Sequence, residues 1–166
     1  MASISSLPIL PIFEEAVSSH ERELMRYLLR TTGDREDALD LFQETWLRAY
    51  RAYPALKAGT ALRPWLYRIA INLCRNRARD RTRRARVMVS DGHELAERAA
   101  VTGSNDGAIA IGSAIKALPP NQRRSLIMRK FDGLSYGEIG ASLKCSPESA
   151  RAHVYQALKK LKTVAE

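Results

Sequence analysis

The sequence predicts an all-α protein built from two small helical modules that are joined by a flexible linker. Apolar residues recur with the 3.6-residue period of a helix in successive segments, and no segment alternates apolar and polar residues as a strand would. Residues 87–106 lack any sustained period and are rich in Gly, Ser, Asp, Thr and Asn, which is typical of a linker. We therefore expect an N-terminal module over residues 1–86 and a C-terminal module over residues 107–166.

The N-terminal module is predicted to contain three helices, over about 13–30, 34–53 and 62–84. Gly33 favours the end of the first helix, and Asp34 can cap the second. Pro54 ends the second helix, because proline cannot continue a helix without losing a backbone hydrogen bond.

The C-terminal module has the punctuation of a helix-turn-helix. Its predicted helices cover about 107–118, 120–131, 135–143 and 147–163. Ser135 and Glu138 form a capping box at the start of the third of these helices. Lys144-Cys145 supplies a tight turn, after which Ser146 caps the last helix and Pro147 takes its first position.

The composition excludes several classes of protein. With 45% hydrophobic residues the chain can bury a core, and no apolar run approaches the roughly 18 residues of a membrane span. The apolar segment 7–13 lacks a basic leader, so no signal peptide and a cytoplasmic location are expected. Cys74 and Cys145 stand alone, which predicts reduced thiols and no metal site. No nucleophile–base set or phosphate-binding loop is recognisable, so we expect neither an enzyme nor a cofactor.

Positive charge lies in two separate blocks. The formal net charge is +9. Residues 63–86 contain nine arginines and one aspartate, and residues 116–166 carry a net +6, while the stretch between them is acidic. Two basic blocks within helical patterns indicate a polyanionic partner, and the helix-turn-helix indicates that this partner is DNA.

The last helix is predicted to read DNA with one arc and to pack with the other. The inward positions are Ala150, Val154, Ala157, Leu158 and Leu161. The outward positions carry side chains that reach base edges and phosphates in a major groove. They are Ser149, Arg151, Ala152, His153, Tyr155, Gln156, Lys159 and Lys160.

The second helix also has two different faces. The predicted core positions are Ala38, Leu39, Phe42, Trp46, Ala49, Tyr50 and Tyr53. The opposite arc is acidic and exposes two leucines. It contains Asp37, Asp40, Leu41, Glu44, Leu47 and Arg48. This arc suits either a protein-docking surface or an ordinary solvated face, and its spacing leaves both open.

The third helix is predicted to hold nucleic acid on its exposed side. Its core positions are Trp65, Leu66, Ile69, Ala70 and Leu73. The other side carries Arg68, Arg75 and Arg79, which suit phosphate contacts, with Asn72 beside them. Asn72 could hydrogen-bond a base edge, and Leu56 and Lys57 in the preceding loop could help to enclose a base taken out of the stack.

Several of these segments together resemble sigma-70-family transcription initiation factors. The run Asp37–Thr45 followed by Leu47–Ala49 is similar to the family's region 2, and Trp65–Asn72 resembles its promoter-melting segment. Leu118-Pro119, Gln122-Arg123 and Asp132–Ile139 resemble region 4. The order and length match the extracytoplasmic-function (ECF) group, which keeps only these two regions.

The resemblance implies a role for each matching position. Asp37, Asp40, Gln43 and Glu44, with Leu41 beside them, would dock on the clamp helices of the largest subunit of RNA polymerase, and region 4 would meet the flap. Asn72, Leu56 and Lys57 would hold a flipped base of the −10 element, with Arg68, Arg75 and Arg79 along the backbone. Arg151, Ala152, Tyr155 and Gln156 lie where the family reads the −35 element.

The resemblance further implies that the linker threads along the RNA-exit path of the polymerase. It also implies an anti-sigma protein as a partner, which could hold the factor at the membrane in a bacterial cell. His153 and Gln156 depart from the basic residues usual at these positions, so the preferred −35 bases are not implied. Two other functions stay open: a helix-turn-helix regulator that binds operators, and a sigma-like mimic that titrates an anti-sigma protein.

Overall fold

The computed structural model describes residues 10–90 and 106–165, and within them it contains seven α-helices and no strand. The helices are α1 Phe13–Thr32, α2 Arg35–Ala52, α3 Leu62–Ser90, α4 Asp106–Ala117, α5 Pro120–Lys130, α6 Tyr136–Leu143 and α7 Pro147–Ala165. A short 3₁₀ turn, Tyr53–Ala55, joins α2 to α3. The all-α prediction is confirmed. No helix in the described part of the chain is long and apolar enough to cross a membrane.

Helix α3 is longer than the sequence predicted. The helix continues through Ser90 rather than ending near Arg84. No glycine or proline occurs between Trp65 and Asp91, and the arginines and alanines of this stretch are good helix formers. The remainder of the predicted linker, residues 91–105, lies outside the described residues.

The predicted caps are present. The Asp37 amide donates to Oδ1 of Asp34 at 2.8 Å, which satisfies one of the free amides at the start of α2. Gly33 ends α1 in the left-handed conformation with φ of 69°. At α6 the Ser135 and Glu138 side chains each accept from the other's backbone amide, as the capping box predicted.

The two modules pack against each other and share one hydrophobic core. Helices α1, α2 and α3 form the N-terminal module, and α4 to α7 form the C-terminal module. A single cluster of buried side chains runs from Leu24 and Leu28 of α1 through Ile71 of α3 to Ile127 of α5 and Ile139 of α6. Helix α6 lies on α3, and α5 touches α1. The sequence does not predict this contact between the modules, because the residues that form it lie far apart in the chain.

This packing explains where the predicted core was wrong on α3. Trp65 and Ile69 are half-buried, whereas Tyr67, Ile71 and Cys74 are buried. These three residues lie outside the stripe that the period predicted. Because α3 packs against α1 and α2 as well as against α6, it buries a wider arc than a surface helix does.

Three other predicted core residues are exposed. The exposed fractions are 39% for Leu39, 62% for Tyr50 and 41% for Leu158. On α2, the places predicted for Leu39 and Tyr50 in the core are taken partly by Leu41 and Thr45, both of which are buried. The observed inner arc of α2 therefore runs through Ala38, Leu41, Thr45 and Ala49, with Leu39 and Tyr50 outside it.

Candidate nucleic-acid interface

The predicted reading face of α7 is open to solvent. Seven of its eight positions are exposed, namely Ser149, Arg151, Ala152, Tyr155, Gln156, Lys159 and Lys160. His153 is half-buried. The opposite arc is anchored by Ala150, Val154 and Ala157, which are buried. This face therefore combines hydrogen-bonding groups, two lysines and an arginine on a rigid helix, as groove reading and phosphate contact require.

The turn before α7 fixes the angle at which this helix is presented. Lys144 occupies the left-handed region with φ of 59°, and the Cys145 amide donates to the Gly140 carbonyl at 2.9 Å. A Cβ on Gly140 would lie 2.6 Å from the Cys145 carbonyl oxygen, so only glycine allows the chain to pass this close. The Ser149 amide then donates to Oγ of Ser146 at 3.1 Å, and α7 begins.

The arginine face of α3 is only partly exposed. Asn72 and Arg79 are exposed, as predicted, whereas Arg68 and Arg75 are half-buried. Nη2 of Arg75 donates to Oδ1 of Asn121 in α5 at 3.3 Å. Nε of Arg68 is buried, with no hydrogen-bond partner among the described residues. The prediction of an exposed arginine face is therefore corrected at Arg68 and Arg75.

The loop between α2 and α3 is held by local hydrogen bonds. The amide and the hydroxyl of Thr60 both donate to the carbonyl oxygen of Lys57, at 3.2 Å and 2.7 Å. Leu56 is half-buried and the Lys57 side chain is exposed. The loop is thus a defined turn that leaves a cation at its tip.

The acidic residues of α2 border a groove between α2 and α3. Asp40, Gln43 and Glu44 line it together with Leu47 and, from α3, Leu73. The predicted exposure of Leu41 is corrected: this residue is 3% exposed and belongs to the shared core. Leu41 lies at the floor of the groove because α3 packs beside it.

Two arginines of α3 pair with the acidic end of this groove. Nη1 of Arg77 lies 3.0 Å from Oδ1 of Asp37, and its Nη2 lies 3.8 Å from Asp40. Arg81 also contacts Asp37. Glu44 pairs with Arg48 within α2 at 2.6 Å. The α2–α3 pairs are not predictable from the sequence, because the partners lie 37 to 44 residues apart in the chain.

A cluster of charged groups lies where the two modules meet. The Arg63 guanidinium of α3 binds Glu23 of α1 with two nitrogens, at 2.7 Å and 3.0 Å. It also donates to the Asp132 carbonyl oxygen at 2.5 Å and lies 3.6 Å from the Glu138 carboxylate. Asp132 pairs through Oδ1 with Nη1 of Arg30 at 3.2 Å. We call these five residues the junction cluster. No residue of it except Asp132 and Glu138 belongs to a motif that the sequence singled out.

Burial and pairing act in opposite directions on the carboxyl groups of the junction cluster. Burial raises the pKa of Asp132 to about 6 and outweighs the nearby Arg30 guanidinium. Burial also acts to raise the pKa of Glu23, but hydrogen bonds from His20 and Arg63 outweigh it, and the pKa is lowered. Glu23 therefore remains an ionised partner for Arg63 in the folded chain.

The described residues contain no group of three His, Cys, Asp or Glu side chains that could hold a metal ion. Cys74 is buried in the shared core, and burial raises the pKa of its thiol to about 11. A protonated, enclosed thiol of this kind packs as a small apolar group.

Comparisons with known proteins agree with this architecture. The family model described as Sigma-70 region 2 matches residues 16–84, and the model described as Sigma-70, region 4 matches residues 108–161. The RNA polymerase sigma-H factor of Pseudomonas aeruginosa is 29% identical over 159 residues, which cover 87% of this chain and 81% of that protein. The ECF RNA polymerase sigma-E factor of Salmonella typhimurium is 30% identical over 133 residues, covering 73% and 70% respectively.

Among solved structures, the sigma factor RpoE of Bartonella quintana, determined in complex with the anti-sigma factor NepR, is similar to this chain. The TM-score is 0.74 at 25% identity, and the match covers 92% of this chain and 96% of that one.

An exposed reading helix behind a capped turn defines a DNA-binding protein of the helix-turn-helix class. The chain belongs to the sigma-70 family of RNA polymerase sigma factors, in its ECF group. Members of this family are non-enzymatic transcription initiation factors.

Proposed function

We propose that this chain is an alternative sigma factor that binds core RNA polymerase, recognises −10 and −35 promoter elements and promotes initiation. The observation that carries the proposal is the exposed polar and basic face of α7, set by the turn at Gly140 and Lys144. In this role α7 enters the major groove at the −35 element. Arg151 and Gln156 contact base edges, and Lys159 and Lys160 contact phosphates.

The groove between α2 and α3 is the proposed docking site for the polymerase. Asp40, Gln43 and Glu44 offer charge and hydrogen-bond acceptors at its rim, and the exposed Leu47 adds apolar area. Asp37 is reached only when Arg77 and Arg81 release it, so a basic partner surface competes with two internal arginines. Such competition makes binding dependent on salt as well as on shape.

Promoter opening is assigned to α3 and to the loop that precedes it. Asn72 is exposed and can hydrogen-bond a base that has left the stack, with Leu56 and Lys57 as further contacts. Arg79, which is exposed, would contact the adjacent backbone together with Arg68 and Arg75, which are half-buried. Captured bases and phosphates would offset an unstacking cost of about a few kcal/mol, so no nucleotide hydrolysis is needed.

An anti-sigma protein is the further partner that we propose, and a bacterial cytoplasm is the proposed location. The support is the similarity in fold to RpoE of Bartonella quintana, which was solved with the anti-sigma factor NepR. In this role the anti-sigma protein occupies or locks the modules while the inducing signal is absent.

Run-off transcription with purified core polymerase tests the proposal. The chain is added to core enzyme on a library of genomic promoter fragments, and transcripts that depend on it are sequenced. A set of start sites with shared upstream elements is expected. A chain that yields no transcript from any fragment, while core enzyme with a reference sigma factor does, contradicts the proposal.

The docking site has its own residue-level test. Asp40→Ala with Glu44→Ala is expected to weaken binding to core polymerase at least tenfold, because charged interface pairs contribute several kcal/mol when they are desolvated. Glu21→Ala with Glu36→Ala removes the same charge from exposed positions outside the groove and is the matched control. Affinity is measured by fluorescence anisotropy of labelled chain. Equal affinities for the two double variants would show that the groove is not the docking site.

The same experiments separate the two other functions. A conventional operator-binding regulator binds duplex DNA without core polymerase and gives no run-off product. A mimic that only titrates an anti-sigma protein gives neither DNA binding nor transcript, whatever happens at Asp40 and Glu44.

A further inference from the structure

Three arginine side chains come together where α5 begins beside α3. Nη2 of Arg75 in α3 donates to Oδ1 of Asn121 in α5 at 3.3 Å. Arg124 follows Asn121 by three positions and therefore lies on the same face of α5. Arg123, next to it, donates through Nη1 to the Lys116 carbonyl oxygen at 3.2 Å. We call Arg75, Arg123 and Arg124 the arginine cluster, and none of the three forms an ion pair within the described part of the chain.

Arg124 is the most deeply placed member of the arginine cluster. It is only 6% exposed, and its Nε has no hydrogen-bond partner among the described residues. Burial, and then the neighbouring guanidinium groups of Arg75 and Arg123, lower the pKa of Arg124. A guanidinium nevertheless keeps its proton near neutral pH, and an enclosed charge without a partner destabilises the fold. This position therefore requires a compensating anion.

The side chains beside Arg124 do not supply that anion. The acidic groups near it are the Tyr27 hydroxyl of α1 and the Cys74 thiol of α3. Burial raises the pKa of Tyr27 well above its usual value and that of Cys74 to about 11, so both groups are neutral at pH 7. Arg77, which also lies near Cys74, is already paired with Asp37. The recess between α3 and α5 is thus positive and contains no free carboxylate among the described residues.

The start of α5 adds further groups that favour an anion. Pro119 precedes the helix, Pro120 takes its first position, and no side chain caps this end. The amides of Asn121 and Gln122, in the first turn, have no carbonyl to bond within the helix. Free amides and the positive end of the helix dipole favour negative charge at this place, next to the side chain that Arg75 contacts.

We propose that the arginine cluster and the first turn of α5 form a binding site for a small diphosphate anion. A phosphate group carries about −1.5 to −2 charges near neutral pH, so two phosphate groups match three guanidinium groups, and arginine binds phosphate oxygens with two parallel hydrogen bonds. Arg75 and Arg123 are half-buried and reach solvent, whereas Arg124 is enclosed. Such a recess fits a small anion better than a nucleic-acid backbone, which carries bulky sugars on both sides of each phosphate. The site does not rest on the proposed function, in which Arg123 and Arg124 have no part.

Isothermal titration of the full chain with inorganic pyrophosphate tests the site. One binding event is expected, with an affinity at least about tenfold higher than that for inorganic phosphate, because the second phosphate group adds charge-assisted hydrogen bonds. ADP is the third probe. Binding of ADP would show that the site accepts an esterified diphosphate, and pyrophosphate binding without ADP binding would restrict it to the free anion.

Arg124→Met gives two readouts that a purely structural arginine would not. Methionine keeps the length of the side chain and removes the charge, so affinity for pyrophosphate should fall at least about tenfold. Without ligand, the melting temperature should rise, because an uncompensated buried charge has been removed. Pyrophosphate should raise the melting temperature of the wild type but not that of the variant. A lower melting temperature with unchanged pyrophosphate affinity would show that Arg124 is structural and would overturn the site.

Arg75→Ala keeps the test decisive if Arg124→Met loses helicity by circular dichroism, and the same loss of affinity is expected. Arg22→Ala removes an exposed arginine of α1 and is the matched control. Unchanged affinity in every cluster variant that keeps wild-type helicity overturns the site. An equal loss in Arg22→Ala would show only the general attraction of anions to a chain of net charge +9. Displacement of pyrophosphate by a single-stranded DNA 20-mer at the same phosphate concentration would show that a DNA backbone is the ligand, and would overturn the assignment to a small anion.

Discussion

Replacing Gly140 with alanine tests the geometry of the helix-turn-helix directly. An added Cβ would lie 2.6 Å from the Cys145 carbonyl oxygen and 3.2 Å from both the Pro147 nitrogen and the Ser146 carbonyl carbon. All three atoms belong to the backbone, so no side chain can rotate away. Relief requires the turn to move, which also strains the hydrogen bond from the Cys145 amide to the Gly140 carbonyl.

The expected size follows from opposing contributions. Alanine favours the helix by about 1 kcal/mol over glycine. Overpacking costs typically 1–3 kcal/mol, and a weakened backbone hydrogen bond about 1 kcal/mol more. We expect Gly140→Ala to lower the free energy of unfolding by about 2 kcal/mol and to weaken DNA binding through α7, because the presentation of this helix changes.

Gly137→Ala is the matched control, since both glycines lie in α6. A Cβ on Gly137 meets only Oγ of Ser135, at 3.8 Å, which is an ordinary contact. This variant should gain up to about 1 kcal/mol. Urea unfolding, monitored by circular dichroism, measures the unfolding midpoint of each variant. The midpoints report stability if the dependence of the unfolding free energy on urea concentration is the same in both variants. A Gly140→Ala chain as stable as Gly137→Ala would refute the close approach at this turn.

Two further predictions concern single positions in the C-terminal module. Lys144→Gly should raise the free energy of unfolding by up to about 1 kcal/mol in the same urea assay, because glycine adopts the left-handed conformation at φ of 59° without strain; an unchanged or lower midpoint would argue against that conformation. Asp132 takes up a proton in the folded chain near pH 6 but near 3.8 when unfolded, so its contribution to stability is present at low pH and is lost as the pH rises from about 4 through 6. Asp132→Asn should remove that loss, and parallel pH profiles for the wild type and the variant would contradict the raised pKa.

Much of the local structure was predictable because its causes lie close together in sequence. The capping box at Ser135 and Glu138 and the cap at Asp34 each depend on residues three positions apart. The exposed arc of α7 follows from the period of its apolar residues, and it was predicted well except at Leu158 and the half-buried His153. The predicted end of α3 is too early, because the helix continues beyond the point where its amphipathic period stops.

The electrostatic pairing of the site was not predictable in this way. Asp37 was assigned to an open acidic face, yet it is paired with Arg77 and Arg81 from the next helix. Arg68 and Arg75 are predicted to lie on an open basic face, yet both are half-buried, and Arg75 is hydrogen-bonded to Asn121 of α5. Composition and period report which side chains a helix offers, but they do not report which other helix lies against it.

The sequence by itself determined the helices, the helix-turn-helix and the family, because caps, period and motif order are local properties of the chain. Tertiary structure alone decided that the two modules close on each other through a shared core and the junction cluster. The physical reason is that Arg63 meets Glu23 and Asp132 across 40 and 69 residues of chain, where no local preference links the partners. The sequence thus predicts which residues contact promoter DNA, and the packing of the two modules decides how exposed those residues are.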